Sequence, residues 1–153
     1  MKKSMQQICF VCEGNTCRSP FAEKIMNKYL KQNNITDIKC CSCGLCVDKN
    51  SNINEKVIQI LKRYNINVKS RKPKQLSKSI LNNCELFITM TKSQKQFVNA
   101  KNVFSFGEMV MGEDIEDPYG GTMELYLKMA NQVDEYCKKL IKKIKLVKEK
   151  LSW

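Results

Sequence analysis

An apolar run, Ile8 to Val11, ends in Cys12-Glu13-Gly14-Asn15-Thr16-Cys17-Arg18-Ser19-Pro20 and gives way at once to apolar residues at helical spacing. A strand joined to a helix over so few residues forces them into a tight loop with Cys12 at one end and Arg18 at the other. Such a loop turns successive backbone N–H groups inward, so that amides, helix N-terminus and guanidinium fork together grip an oxyanion. The same positive field favours a thiolate over a thiol. Cys12 is then an anionic nucleophile that needs no base. The bland alternative is a buried strand-end cysteine beside a surface arginine, and Gly14, Asn15, Ser19 and Pro20 in the remaining places speak for the loop.

The chain contains no histidine. Ser-His-Asp and Cys-His hydrolase schemes are excluded, and so are His-ligated zinc sites. Phosphoryl transfer to Cys12 also needs a general acid for the leaving group. The loop Gly112-Glu113-Asp114-Ile115-Glu116-Asp117-Pro118-Tyr119-Gly120-Gly121 concentrates four acids in five positions. Pro118 restricts the residue before it, which presents Asp117 in an extended conformation, and Tyr119 can wall a substrate group. A plain acidic surface turn is the competing reading.

Apolar runs alternate with amphipathic segments along the chain. Strands are expected at Ile8–Val11, Ile38–Cys43, Leu86–Met90 and Val103–Phe106. The first helix carries Ala22, Ile25, Met26, Tyr29 and Leu30 on one face, with Ser19 as N-cap and Pro20 at its first position. Val57, Ile58, Leu61 and Tyr64 mark a second helix, and a short helical segment spans Ser93 to Val98. A long last helix from Met123 carries Leu125, Met129, Val133, Tyr136 and Leu140. This alternation implies an α/β fold: a parallel sheet with helices on both faces, the phosphate loop after the first strand and ligands beyond the strands' carboxyl ends. The 153 residues fit one domain, 1–153, on a prior of roughly 100 to 200 residues per domain.

Apolar content of 42% and charged content of 27% suit a globular protein, and no apolar stretch approaches the roughly 20 residues that span a bilayer. Met1-Lys2-Lys3 leads into polar Ser4, Gln6 and Gln7 rather than an apolar signal core, so a cytoplasmic location is expected, with the nine cysteines as reduced thiols. The net charge of +12 owes much to Lys138, Lys139, Lys142, Lys143, Lys145, Lys148 and Lys150. Leu140, Ile141, Ile144 and Val147 recur among them at helical spacing, which reads as a solvated helix face. No nucleic-acid or membrane partner is expected, and the chain is expected to be a monomer. Its basicity attracts anionic phosphorylated substrates.

Cys-x-Gly-Asn-x-Cys-Arg-Ser-Pro near the start, with Asp-Pro-Tyr far down the chain, resembles the low-molecular-weight protein-tyrosine phosphatase family. The likeness covers nearly the whole chain, including Ser42-Cys43-Gly44 and Ile88-Thr89-Met90-Thr91. It implies a four-stranded parallel sheet, phosphorylated proteins as substrates, phosphate or another oxyanion in the loop, and neither metal nor cofactor. It assigns Cys12 as the nucleophile forming a phosphocysteine, Arg18 as the phosphoryl clamp and Asp117 as the acid that later activates water. Glu13 to Ser19 would form the loop, and Asn15, Ser19 and Ser42 would shape it, with Tyr119 and Glu13 at the substrate wall. Cys17, in the same loop, is a redox partner for Cys12.

The substrate stays open between phosphotyrosine and phosphoarginine. Glu13 replaces the leucine or isoleucine of many tyrosine-specific members, Asp117-Pro118-Tyr119-Gly120-Gly121-Thr122 resembles the bacterial branch that includes arginine phosphatases, and no aromatic follows Gly44 as a second wall. Two other readings compete. Arsenate reductases share the loop, but after Cys84 no cysteine comes before Cys137, which leaves their thiol relay incomplete. Cys40-Cys41-Ser42-Cys43-Gly44-Leu45-Cys46 offers overlapping Cys-x-x-Cys spacings to a metal, although strand alternation would send those side chains to opposite faces.

Overall fold

The computed structural model describes residues 5–151, and the polar start read above at residues 1–4 lies outside them. Strand β1 (Gln6–Cys12) is buried from Ile8 onward, as suits a strand covered on both faces. It lies inside a four-stranded sheet of order β2-β1-β3-β4, with β2 spanning Ile38–Gly44, β3 Leu86–Thr89 and β4 Val103–Ser105. Every pairing is parallel, so Cys12 lies opposite Gly44 and Val11 opposite Thr89. The carboxyl ends of the strands therefore meet at one edge, where an α/β sheet binds its ligands.

Helices cover both faces, as expected. On one face, Ile8, Phe10 and Ile88 pack with α1 (Arg18–Gln32), α2 (Glu55–Arg63) and the long α5 (Met123–Leu151) through Phe21, Ile25, Leu61 and Val133. The other face, with Cys9, Val11, Cys43 and Phe87, is closed by Val98 and by Ile80 and Leu81 of α3 (Lys78–Asn83). A short helix, α4 (Phe106–Val110), adds Phe106 and Val110 to the first face, and a 3₁₀ turn spans Ser93–Phe97.

Several local expectations are corrected. Helix α1 begins at Arg18 with Cys17 in the N-cap place, so Ser19 is not the cap; its hydroxyl is engaged by the active-site loop. Pro20 accordingly falls inside the first turn rather than at its first position. Leu125 and Val147, placed among the apolar positions of the last helix, are 49% and 55% exposed: Leu125 lies on the outer side of α5 beside buried Tyr126, and Val147 lies past Ile141, the last buried residue of that helix. Phe106 opens α4 instead of closing β4. Helices α3 and α4 are too short to show a period, yet Ser105 and Glu108 form a reciprocal capping box that marks the start of α4.

Strand β2 distributes its cysteines by alternation: Cys40 joins the core under α1, Cys41 and Cys43 lie on the opposite face, and Cys46 beyond the strand is exposed. The four sulfurs of that segment are thus not gathered. Cys41 instead contacts Cys84, and Cys9 contacts Cys43, each at 3.5 Å between sulfurs. S–H donation from Cys41 and Cys9 lowers the Cys84 thiol from its ordinary value, while Cys9 is pushed up by the thiols around it and by burial.

Gly44 closes β2 directly beneath the loop. A Cβ there would lie 2.7 Å from the Glu13 carbonyl oxygen and 3.0 Å from the Asn15 amide nitrogen. Both are backbone atoms of the loop and cannot swing aside. Gly44→Ala should therefore lower stability by about 1–3 kcal/mol, the usual cost of overpacking, and reduce any activity that depends on the loop by displacing it. Urea denaturation and steady-state rates check this; a variant as stable and active as wild type would contradict it.

Candidate active site

Asn15 takes a left-handed conformation, φ 54°, at the centre of the loop, and its side chain is fully buried. Asparagine tolerates this backbone region better than most residues. Its Nδ2 donates to Ser19 Oγ and Ser42 Oγ, both at 2.9 Å, and its Oδ1 accepts from the Lys74 N–H at 2.9 Å and Arg71 Nη1 at 3.3 Å. Ser42 Oγ donates in turn to Glu23 Oε1 at 2.7 Å and accepts from Arg71 Nη2 at 3.3 Å. The three supporting residues read from the sequence, Asn15, Ser19 and Ser42, are thus brought together.

Sequence reasoning missed Glu23 and Arg71, which complete the network as a 3.7 Å ion pair. One signal was available. Glu23 is the single acid in α1, and it is buried beside Ala22 on the apolar face, an expensive place for a carboxylate without partners.

Cys12 Sγ lies 2.9 Å from Ser19 Oγ and 3.3 Å from the Asn15 N–H. Hydroxyl and amide are both donors that an anionic sulfur accepts, and bonds to a charged acceptor are the stronger kind. No side chain caps the N-terminus of α1, and no acid occupies its first turn. Its leading N–H groups and positive dipole end thus face the loop, a ready anion site. The carbonyl of Thr16 accepts from the Asn54 N–H at 2.8 Å, which ties the loop to the N-cap of α2.

Arg18 joins the two motifs. Its side chain is buried; Nη1 donates to the Ile115 carbonyl at 2.8 Å, and Nη2 lies 3.5 Å from Asp117 Oδ2. The acidic segment is thereby drawn over the loop. Asp117 remains 46% exposed, and its Oδ1 accepts from the Tyr119 N–H at 3.0 Å across buried Pro118. A cleft of about 350 Å³ results, with Cys12 and Arg18 at its floor and Asp117 and Tyr119 at its wall. Gly14, Thr16 and Cys17 also line it. Exposed Glu13 sits at the rim, and Tyr119 is 84% exposed there. Cys46, Asp48 and Ser51 border the cleft as well and were not anticipated.

Burial, together with the charges of Cys12 and Asp117, pushes the Cys17 thiol well up, and Arg18 offsets this only in part. Cys17 is therefore a protonated neighbour of the loop rather than a second nucleophile. The whole arrangement can bind a tetrahedral oxyanion between loop amides and guanidinium, offer sulfur from below, and hold a carboxyl on the far side.

Known proteins resemble this chain in sequence and in fold. Residues 7–151 match the sequence model of the low molecular weight phosphotyrosine protein phosphatase family. The chain is 33% identical over 134 residues to the low molecular weight protein-tyrosine-phosphatase PtpB of Staphylococcus haemolyticus, covering 83% of this chain and 91% of that one. It is 27% identical over 146 residues to the protein-arginine-phosphatase of Bacillus subtilis, covering 90% and 96%. The crystal structure of a low molecular weight protein tyrosine phosphatase from T. tengcongensis superimposes with a TM-score of 0.83 at 32% identity, over 90% of this chain and 99% of that one. With the family's sequence pattern running through β1 to α5 and its fold reproduced around the loop, the chain belongs to the low molecular weight phosphotyrosine protein phosphatase family.

Proposed function

We propose that this protein hydrolyses phosphotyrosine in protein substrates through a phosphocysteine at Cys12. The observation that carries this reading is the convergence of Cys12, Arg18 and Asp117 on one cleft, with Arg18 paired to Asp117 at 3.5 Å. In the first step the Cys12 sulfur attacks phosphorus, the bond from phosphorus to the phenolic oxygen breaks, and Asp117 gives that oxygen its proton. In the second, water attacks phosphorus, Asp117 takes the water's proton, and the thiolate leaves with inorganic phosphate released. Arg18 and the loop amides hold the phosphoryl oxygens throughout, where charge stabilisation by fixed donors contributes most. The reading takes the chain as one domain acting in the cytoplasm as a monomer, with no metal in the reaction.

Asp117→Ala should slow hydrolysis of a phosphotyrosine peptide by roughly two to four orders of magnitude, the usual range for a positioned acid. Aryl phosphates with acidic leaving groups should lose much less, since they need little protonation, while folded Cys12→Ser and Arg18→Ala should show no turnover. Equal losses across a leaving-group series would make Asp117 structural, and activity in folded Cys12→Ser protein would remove the nucleophile from the scheme.

Phosphoarginine is the second reading, favoured by the carboxylates of Glu13 and Asp48 at the cleft. A dianion approaching Glu13 is repelled, whereas the guanidinium of phosphoarginine can pair with it. Glu13→Ile should then raise phosphotyrosine turnover and raise phosphoarginine turnover less, or lower it. A rim charge pair is worth at most about 1 kcal/mol, so the relative change stays within roughly tenfold. Parallel rates on the two phosphopeptides measure it, and an identical factor for both would show that Glu13 does not select substrate.

The same loop responds to oxidant. Hydrogen peroxide converts a thiolate to sulfenic acid, with water as the other product; a nearby thiol then displaces hydroxide to form a disulfide. Cys17 is the thiol in place for Cys12. Mild peroxide should give a Cys12–Cys17 disulfide that dithiothreitol reverses with recovery of activity. Peptide mass spectrometry showing Cys12 over-oxidised and unlinked would contradict this.

A further inference from the structure

Three cysteines outside the cleft, Cys9, Cys41 and Cys84, hold their sulfurs within 4.8 Å of one another, the one such gathering of metal-binding side chains among the described residues. They come from three elements. Cys9 lies in mid-β1, Cys41 is its register partner on β2, and Cys84 follows the last turn of α3. Strand order makes the cluster possible, since β1 stands between β2 and β3 and the end of α3 leads into β3. Cys9 is fully buried while Cys41 and Cys84 are half-buried, so the cluster opens to solvent on their side.

We propose that Cys9, Cys41 and Cys84 form a thiolate site for a single soft monovalent cation, Cu(I), separate from the phosphate cleft. Thiolates select soft d¹⁰ ions. Structural zinc takes four ligands, usually cysteine and histidine. Here the chain has no histidine, no carboxylate belongs to the group, and Cys43, though 3.5 Å from Cys9, is not within reach of all three sulfurs. Cu(I) is satisfied by three. A metal–sulfur bond of about 2.3 Å sets the sulfurs of a trigonal site about 4 Å apart, within the range these three already occupy. Binding forms three copper–sulfur bonds and releases the remaining S–H protons to water, with no change of oxidation state. The positive charge of Lys74, which acts on Cys41, offsets part of the negative charge left behind. The bound ion would tie β1, β2 and the end of α3 together and so stabilise the native state.

The test is an anaerobic titration of reduced protein with Cu(I) against a chromogenic copper chelator, followed by thiolate-to-copper absorption in the ultraviolet. Wild type, Cys12→Ser and Cys46→Ser should each take up one ion per chain. Cys41→Ser and Cys84→Ser should bind at least about 100-fold more weakly, since losing a ligand outweighs losing a supporting hydrogen bond to one. Copper should raise the Tm of wild type and leave that of Cys84→Ser unchanged. In unmutated protein the ion should protect Cys41 and Cys84 from alkylation while Cys46 still reacts, a readout that does not depend on any variant folding. The proposal is overturned if no copper binds, if binding follows Cys12 instead, if Zn²⁺ binds these cysteines more tightly than Cu(I), or if mass spectrometry finds Cys41 and Cys84 joined as a disulfide under the same conditions.

Discussion

The buried side chain of Asn15 is the constraint on which the site depends. Its amide meets α1 through Ser19, β2 through Ser42, and the segment before α3 through Arg71 and the Lys74 N–H. Both amide protons and the carbonyl oxygen are satisfied, which is how a polar side chain tolerates burial. Among the described residues, every buried side-chain nitrogen or oxygen has a partner. Each group that Asn15 serves would otherwise cost about 1–3 kcal/mol as an unpaired buried donor or acceptor. The left-handed turn and the inward amides follow from this anchoring, and with them the position of the Cys12 sulfur.

Charge is arranged in two layers around that anchor. Inside, Arg18 is buried and reaches both the Ile115 carbonyl and Asp117, so one guanidinium serves loop and acid segment together. Outside, a chain of net charge +12 presents carboxylates at the mouth of its cleft, Glu13 and Asp48 among them. The overall field favours anionic partners, and the acids at the mouth are the proposed basis for choosing among them. The chain has no histidine, and the proposed proton transfers rest on Asp117, which the turn through Pro118 and Tyr119 holds beside Arg18.

Residue types and spacing made Cys12 and Arg18 legible and left Asp117 a candidate beside a plain acidic turn; the family resemblance singled out Asp117 and brought in Ser42. The parallel sheet was legible from alternation alone. What stayed hidden are pairings between distant residues. Glu23 and Arg71 meet across the fold, and nothing local to either names the other. Ser19 looked like a helix cap because serine often is one; its hydroxyl is instead spent on sulfur, a tertiary demand that overrides local preference. The cysteine-rich stretch from Cys40 to Cys46 drew notice for its spacing, yet only Cys41 of that run completes a three-sulfur group with Cys9 and Cys84, since register sets Cys41 opposite Cys9 and Cys43 opposite Val11.

In the proposed reaction the phosphoryl group passes through one sulfur among nine cysteines. Rapid acid quench of the protein during turnover of a phosphotyrosine peptide, followed by peptide mapping, locates that group directly. A single phosphorylated cysteine, Cys12, should appear within one turnover and decay as phosphate is released. Phosphate released with no labelled cysteine at any quench time, or a label on another residue, would contradict it.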